Sequence, residues 1–396
     1  MSWRSRCDDI QAVDLYEPNN MSNLATINLG SAQKVSDECL EKLQDTDRTE
    51  LCEESFTCSP KDGDADKVEC SLRCVLNRKT RAAAIVELSR HLHASPRLGL
   101  IIYGRSAVLS SILMEIMEHY PNGVKHAELQ QEAVDVICGI VAIFQKIILD
   151  REVRLEFLKT DILLYLLPYL NRTEQTRETE QLRVSLLGLF ATATSKVSVE
   201  TMELLLLRLP TNQDGSAELP TDTRLYDYTV AALSSSTSNI GKTMALILLT
   251  RLLVSTRQLT MVGQDNQRVQ KLVAGLSYII KYVAKKFNPC NGLSPLRRGM
   301  HSMADVHAIT WEKAKRLLRF FFGCLYRVSI EPHIRLELVR GLPNELRGRL
   351  FASIFEGDNE VDGWLEELWN RLNMEPPLRV LDGCCEPPIQ DERCRM

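Results

Sequence analysis

Three consecutive residues, Gly241, Lys242 and Thr243, have the side chains with which phosphate-binding loops hold a nucleotide. Such a loop also needs a second glycine, five residues before its last one, and a strand in front of it. Position 236 is a serine here, and the preceding residues lack the pattern of a strand. The tripeptide therefore favours the start of a helix, with Lys242 and Thr243 in its first turn.

Other residues that could do chemistry are scattered along the chain. The seven histidines lack an acidic partner at a spacing typical of a metal site or a catalytic pair. The serines lack a Gly-x-Ser-x-Gly elbow. Cys70 and Cys74 are four positions apart and Cys384 adjoins Cys385, which is not the paired Cys-x-x-Cys pattern of a zinc site. The sequence predicts reduced thiols and no enzymatic activity, metal or cofactor.

Clusters of positive charge are a stronger signal, and they indicate binding. Lys315 and Arg319 lie four residues apart on a predicted helix and therefore share one side of it. Lys313 and Arg316 add to this cluster, and two further clusters are Lys281-Lys285-Lys286 and Arg297-Arg298. Two interpretations are open: a basic groove that holds a single-stranded nucleic acid, or a solvated helix face.

The apolar pattern that must position these residues is helical. From Gln131 to Leu170 it predicts a long helix, a tight turn, a short helix and a third helix. The same order recurs at 316–339, where Arg-Leu-Glu at 335–337 repeats the one at 154–156, and more faintly at 244–262. Repeated helical units that cannot bury their apolar faces alone predict an all-α fold of the α-solenoid type.

The same period predicts further helices, and it places Cys138 and Phe190 in the core. The predicted helices span 100–120, 180–194, 199–209, 242–253, 269–286, 307–329, 332–340 and 361–373.

Charge and composition divide the chain. Residues 1–70 carry a net charge of −9 and the remainder +5. We expect an acidic, disordered leader at 1–66, a repeat domain at 67–375 and a flexible tail at 376–396. Loop inserts are expected near 211–223 and 288–305. No apolar run is long enough for a bilayer and the first residues lack the apolar core of a signal peptide, so we expect a cytoplasmic protein, with a nuclear fraction possible.

Several short stretches together resemble the Rcd1-like cell differentiation family, the Caf40-like subunit nine of the CCR4-NOT deadenylase complex. The resemblance covers roughly residues 79–374, and its order and spacing make it specific. The stretches are Ala84–Ser89, Glu115–Ile116 with Tyr120–Pro121, Arg154–Leu158, Tyr165–Leu170, Leu182–Gly188, Gly241–Thr243 and Arg316–Leu318.

The resemblance implies an armadillo-like α-solenoid of about six helical repeats. It also implies a non-catalytic subunit that docks on the CCR4-NOT scaffold subunit and binds short linear motifs of RNA-binding repressor proteins. Family members carry pockets for tryptophans of silencing proteins, and some bind single-stranded nucleic acid in a groove. A location in the cytoplasm, including P-bodies, would follow. The oligomeric state stays open, a homodimer included.

The resemblance also assigns candidate site residues, position by position, to this chain. The resemblance places a peptide groove at Lys242, Thr243 and Met244, with Met244 exposed in the absence of a partner. It places a nucleic-acid groove at Arg316, next to Lys315 and Arg319. Residues of a tryptophan pocket fall on Tyr103, Asn266 and Arg268. Arg268 keeps the family's residue type, whereas Tyr103 and Asn266 depart from it, which weakens the case for tryptophan binding.

These observations predict an adaptor in mRNA deadenylation, decay and translational repression. The alternative is a protein that binds single-stranded RNA directly through the basic groove. A general armadillo cargo adaptor would need a ladder of asparagines along the groove, which the sequence lacks.

Overall fold

The structure is a computed structural model, and it describes residues 63–124, 130–172, 174–195, 225–254, 256–287, 303–347 and 359–373. These ranges contain α-helices and two short 3-10 helices, at Asp161–Leu166 and Asn344–Arg347, and no strand. The first helices are α1 (Asp64–Cys74), α2 (Arg81–Arg90), α3 (Leu98–Tyr103), α4 (Ser106–Val124), α5 (Gln131–Leu149), α6 (Arg154–Lys159), α7 (Leu167–Leu170) and α8 (Arg177–Ala193). They are followed by α9 (Leu225–Ser235), α10 (Asn239–Leu252), α11 (Thr256–Gly263), α12 (Asn266–Phe287), α13 (Met303–Val328), α14 (Pro332–Gly341) and α15 (Asn359–Leu372).

The chain divides into two compact units, Met1–Leu252 and Leu253–Met396. In the first unit, α2, α5, α8 and α10 form a ladder in which each helix packs against the next. Small residues permit the close approach, because a Cβ on Gly139 of α5 would lie 3.3 Å from Ile85 of α2. Phe144 and Phe190, in the middle of the ladder, are fully buried. Burial of such large apolar side chains is the main source of stability in a stacked helical unit.

The turn after α5 is fixed by one carboxylate. Asp150 accepts hydrogen bonds from the backbone N–H of Leu100 (3.2 Å) and of Glu152 (3.1 Å), so it ties α3 to the end of α5. Arg154 then donates from Nε to the Ile148 carbonyl at 2.6 Å, which satisfies an acceptor of the last turn. The predicted order of long helix, tight turn and short helix is confirmed here.

The second unit is also built from helices that pack side by side. Its α11 and α14 pack on α12, and α13 packs on α15. The Gly341 backbone lies so close to α12 that an added Cβ would come within 2.5 Å of Val273. The predicted long helix and short helix at the second copy are α13 and α14, and α10 and α11 form the third copy. The all-α class and the solenoid type of packing are therefore confirmed, each unit taken by itself.

Two local predictions are wrong. The helix expected at 100–120 is interrupted after Tyr103, because Gly104 caps the end of α3; Arg105, between the two helices, pairs with Glu69 of α1 at 2.8 Å. Residues 64–66, expected in the disordered leader, belong to α1, because Val68 and Leu72 bury an apolar face that holds the helix in place.

Cys138 is only partly buried, contrary to expectation, whereas Phe190 is in the core as predicted. The thiol of Cys138 donates to Ser185 Oγ at 3.4 Å. The predicted helix at 199–209, the insert at 211–223, most of the insert at 288–305, the tail at 376–396 and nearly all of the leader lie outside the described residues. Among the helices that are described, none combines the length and the apolar character that crossing a membrane requires.

Candidate functional site

The predicted peptide groove falls at the start of α10, where a buried carboxylate holds the preceding loop. Glu180 of α8 accepts hydrogen bonds from the hydroxyls of Ser236 and Ser238 and from the backbone N–H groups of Thr237 (3.1 Å) and Ser238 (3.0 Å). We call Glu180 with residues 236–238 the Glu180 clamp. Ser238 in turn accepts from the Gly241 N–H at 2.9 Å and so caps α10.

A buried ion pair completes the clamp. Arg183 donates to Glu180 Oε2 at 2.6 Å and to the Arg172 carbonyl at 2.7 Å, and only 1% of the Arg183 side chain is exposed. Burial by itself raises the pKa of the Glu180 carboxyl. The hydrogen bonds from Ser236, Ser238 and Thr237 outweigh burial, so its pKa lies below the ordinary value of 4.5.

The clamp explains why glycine occupies position 241. A Cβ there would lie 2.0 Å from Ser236 Oγ and 2.6 Å from Glu180 Oε1. The Gly-Lys-Thr tripeptide therefore starts a helix, as the sequence indicates, and its glycine makes room for the clamp.

Lys242 and Met244 do not line an open groove. Lys242 is fully buried and its Nζ donates to the Ser236 carbonyl, and Met244 is only 5% exposed. The expectation that Met244 is exposed in the absence of a partner is wrong, because it lies under α8, where its Cε is 3.8 Å from the position of a Cβ on Gly188. Thr243 is also buried, and its hydroxyl donates to the Asn239 carbonyl at 2.8 Å. Whether a partner opens this region is untested, and the groove at Lys242–Met244 stays a prediction.

The predicted nucleic-acid residues lie together on α13. Arg316 is exposed, whereas Lys315 and Arg319 are half-buried. The shared side of Lys315 and Arg319 follows from their spacing on one continuous helix. The structure contains no nucleic acid, and a role for these residues in binding one stays a prediction.

The three residues of the predicted tryptophan pocket belong to different units. Tyr103 ends α3 in the first unit and packs edge-on against Phe157, with ring centroids 6.2 Å apart. Asn266 and Arg268 begin α12 in the second unit, where Asp265 pairs with Arg268 at 3.5 Å. Tyr103 thus contributes to packing with Phe157, and tryptophan binding by the three residues is untested.

A cleft that the sequence did not indicate lies between α12 and α14, further along α12 from Arg268. Its volume is about 570 Å³, and Val273 and Ala274 contribute apolar surface to it. Tyr278 and Lys281 lie on its α12 side, and the α14 side has Glu337, Arg340 and Gly341. Ser277 donates to the Gly341 carbonyl at 2.9 Å, which joins the two helices in the cleft.

Small residues are the signal that could have revealed this cleft. Ala274 is exposed on α12, and Gly341 leaves the facing part of α14 without a side chain. The sequence alone does not pair these positions, because α12 and α14 are separated by the whole of α13. We call it the α12–α14 cleft.

In the described part of the chain, no group of three or more histidine, cysteine or acidic residues is arranged to hold a metal ion. The α12–α14 cleft offers apolar surface with polar groups at its rim, which suits one side chain of a partner.

The chain is similar to known proteins over most of its described length. The chain is 25% identical over 294 residues to "Cell differentiation protein rcd1" of Schizosaccharomyces pombe, a match that covers 74% of this chain and 89% of that protein. It is 24% identical over 292 residues to "Protein CAF40" of Saccharomyces cerevisiae, covering 74% of this chain and 67% of that protein. The profile of the Rcd1-like cell differentiation family matches residues 72–372, so the chain belongs to this family.

Proposed function

We propose that the protein is a non-catalytic adaptor subunit of the CCR4-NOT deadenylase complex. It docks on the scaffold subunit and binds short linear motifs of RNA-binding repressor proteins. The messages bound by those repressors are thereby brought to deadenylation, decay and translational repression. Membership of the Rcd1-like family supports the assignment to the complex.

The α12–α14 cleft is the observation that carries the adaptor role. Val273 forms its buried floor, and Ala274 and Tyr278 stand exposed beside it. A cleft of about 570 Å³ is large enough for one apolar side chain of a peptide. Arg340 and Glu337 pair at 2.8 Å on the α14 side, and both can also meet polar backbone groups of a bound peptide.

The experiment compares two variants of the full chain, in each of which one exposed alanine is replaced by tryptophan. Ala274→Trp should fill the cleft, and Ala107→Trp, at an exposed position of α4, is the matched control. Each variant is affinity-purified from cells and its partners are identified by mass spectrometry. We expect deadenylase subunits with the unchanged protein and with both variants, because scaffold docking would use another surface.

Repressor binding should separate the two variants. We expect Ala274→Trp to lose repressor proteins and to fail in a reporter assay of mRNA decay, with Ala107→Trp unchanged. If no deadenylase subunit co-purifies with the unchanged protein, the assignment to the complex is wrong. If Ala274→Trp keeps every partner, the cleft is not the recruiting site.

A further inference from the structure

The connection between α2 and α3 contains a serine that is followed directly by a proline. Helix α2 ends at Arg90 and α3 begins at Leu98, so residues 91–97 lie outside both helices. Ser95 is half-buried in this connection, and Pro96 and Arg97 after it are exposed. A serine with a proline next to it and a basic residue close behind is the pattern by which proline-directed protein kinases select their substrates.

The proline also gives the serine a backbone that a kinase can use. Proline has no N–H to donate within a helix, and its ring disfavours the helical conformation of the residue before it. Ser95 is therefore kept out of both neighbouring helices, and its backbone is suited to lie extended across a kinase. Ser110 is exposed as well, but it lies within α4 and could enter a kinase only after that helix unwinds.

Two local hydrogen bonds shape the turn at Ser95. Its carbonyl accepts from the Leu98 N–H at 3.3 Å, and its hydroxyl oxygen accepts from the Arg97 N–H at 3.3 Å. Both distances lie beyond the usual range of about 2.7–3.2 Å for such bonds, so both bonds are weak. Each spans only two or three residues, so opening this turn leaves the packing of α2 and α3 on their neighbours in place.

The charge around Ser95 suits a phosphate group. Between Glu87 and Glu115 the sequence contains no acidic residue. The charge of Glu87 is balanced within α2, where the carboxylate pairs with Arg90 at 2.9 Å. Arg97 is exposed two positions after Ser95, so its guanidinium can pair with a phosphate on the serine oxygen.

One carboxylate reaches this region from the end of α5. Asp150 accepts hydrogen bonds from the backbone N–H groups of Leu100 and Glu152, so its charge is already solvated by donors. Lys146 lies one turn earlier, close enough for its charge to interact with that of Asp150. The end of α5 therefore brings a positive as well as a negative charge to the start of α3.

The same dipeptide occurs twice more in the chain, each time with a basic residue close behind it. Ser59-Pro60 is followed by Lys61, and Ser294-Pro295 has Arg297 three positions after the serine. Both lie outside the described residues. They provide internal comparisons for any measurement at Ser95.

We propose that Ser95 is a phosphorylation site for a proline-directed serine/threonine kinase. The Ser95 oxygen attacks the γ-phosphorus of ATP and forms the new O–P bond. Its proton passes to a base of the kinase, and ADP leaves with the electron pair of the broken O–P bond. The product carries about −1.5 to −2 charges at pH 7, which pair with Arg97 and stiffen the entry to α3. The proposal goes beyond the adaptor function, which requires no modification.

The test treats the full chain with ATP, Mg²⁺ and a purified cyclin-dependent kinase, and quantifies phosphopeptides by mass spectrometry. We expect Ser95 to be modified and Ser110 to stay unmodified. Pro96→Ala keeps the serine hydroxyl but removes the proline, and we expect the initial rate at Ser95 to fall roughly tenfold or more. Ser59 and Ser294 keep their prolines in this variant, so their rates should match those in the unchanged protein. Circular dichroism confirms that the variant is folded.

Hydrogen exchange tests the contact between the phosphate and Arg97. In the phosphorylated chain the Leu98 amide should exchange roughly threefold or more slowly, because a phosphate–guanidinium pair adds charge-assisted bonds to the turn. The phosphorylated Arg97→Gln variant should lack this slowing. The matched control is Arg151→Gln, at an exposed position in the same unit, and it should keep the slowing. Equal slowing in both variants would show that Arg97 does not hold the phosphate.

A synthetic peptide of residues 90–101 makes the result decisive. If the kinase modifies the peptide but not Ser95 in the full chain, the folded turn is not accessible and the proposal is wrong. If the kinase leaves the peptide unmodified, or if Pro96→Ala loses no rate at Ser95, the dipeptide is not what the kinase reads. Should Pro96→Ala fail to fold, the peptide with the same substitution replaces it. None of these results depends on the partners of Ala274→Trp, so the adaptor function is tested separately.

Discussion

Replacing Glu180 by Gln should strongly destabilise the first unit. One oxygen of Glu180 accepts from the two serine hydroxyls and the Ser238 N–H, and the other accepts from the Thr237 N–H and Arg183. The side-chain amide of glutamine has only one oxygen, so its NH₂ group must face the hydrogen-bond donors that met the other oxygen of Glu180. It also leaves the buried Arg183 without its counter-charge. Breaking a buried pair from one side costs roughly 3–5 kcal/mol, and we expect about 3 kcal/mol or more.

Urea denaturation followed by circular dichroism measures this cost, with Glu178→Gln as the matched control. Glu178 lies in the same first turn of α8 and is not part of the clamp. At roughly 3 kcal/mol per molar urea, the midpoint should fall by about 1 M for Glu180→Gln, and hardly at all for the control. Hydrogen exchange at Thr237 and Ser238 should accelerate in the first variant only.

Dependence on pH gives a second measure of the same clamp. Because the pKa of folded Glu180 is lowered, its contribution to the free energy of unfolding is complete above the ordinary value of 4.5. The contribution is lost as pH falls from there through the lower pKa of the folded state. Glu180→Gln should lack this component of acid destabilisation. If Glu180→Gln costs no more than Glu178→Gln at neutral pH, the carboxylate does not hold the loop.

Three further predictions concern single positions. Gly241→Ala should destabilise the protein in thermal unfolding, because the added Cβ would overlap Ser236 and Glu180. The control Gly323→Ala, with open space around its added Cβ, should stabilise α13 by about 0.5–1 kcal/mol. Equal effects of the two changes would contradict the clamp geometry. Met244→Glu should lower the free energy of unfolding of the first unit by roughly several kcal/mol, because it buries a charge. A variant that folds and loses only its partners would support the groove interpretation instead. Cys138 as a residue is partly exposed, but its thiol is desolvated, which raises the thiol pKa to about 12. Iodoacetamide at pH 8 should therefore leave Cys138 unmodified in the folded protein and modify it in urea; rapid modification in the folded state would show that its thiolate is accessible.

The positions of the helices could be predicted from the sequence because they depend on the local spacing of apolar residues. The long helix from Gln131 ends at Leu149 as expected, and the long helix of the second copy ends at Val328, one residue before its predicted end. The break after Tyr103 could not be predicted in this way. It falls at Gly104, the C-cap residue of α3, and a single glycine inside an apolar period is compatible with a helix that continues as well as with one that ends.

Site residues were harder to predict because exposure depends on what packs over a helix. Met244 has the same apolar character in a groove and in a core, and only the position of α8 shows that it is buried. The α12–α14 cleft combines residues from two helices, and small residues such as Gly341 give little signal alone. The lysines at 281 and 285 share one side of the predicted helix with Tyr278, but only the packing around α12 shows that this side is exposed.

The ladder of α2, α5, α8 and α10 has a consequence for how the first unit folds. Each of these helices packs on the next member of the ladder, so none of these contacts closes a loop across the whole unit. Folding can therefore begin at the α5–α8 pair and spread outward by adding one helix at a time. Opening should run in the reverse order, with the outer helices lost before α5 and α8. Amide protons in α1 should then exchange much faster than those in the middle of α5, along a gradient that follows the order of the helices in the chain.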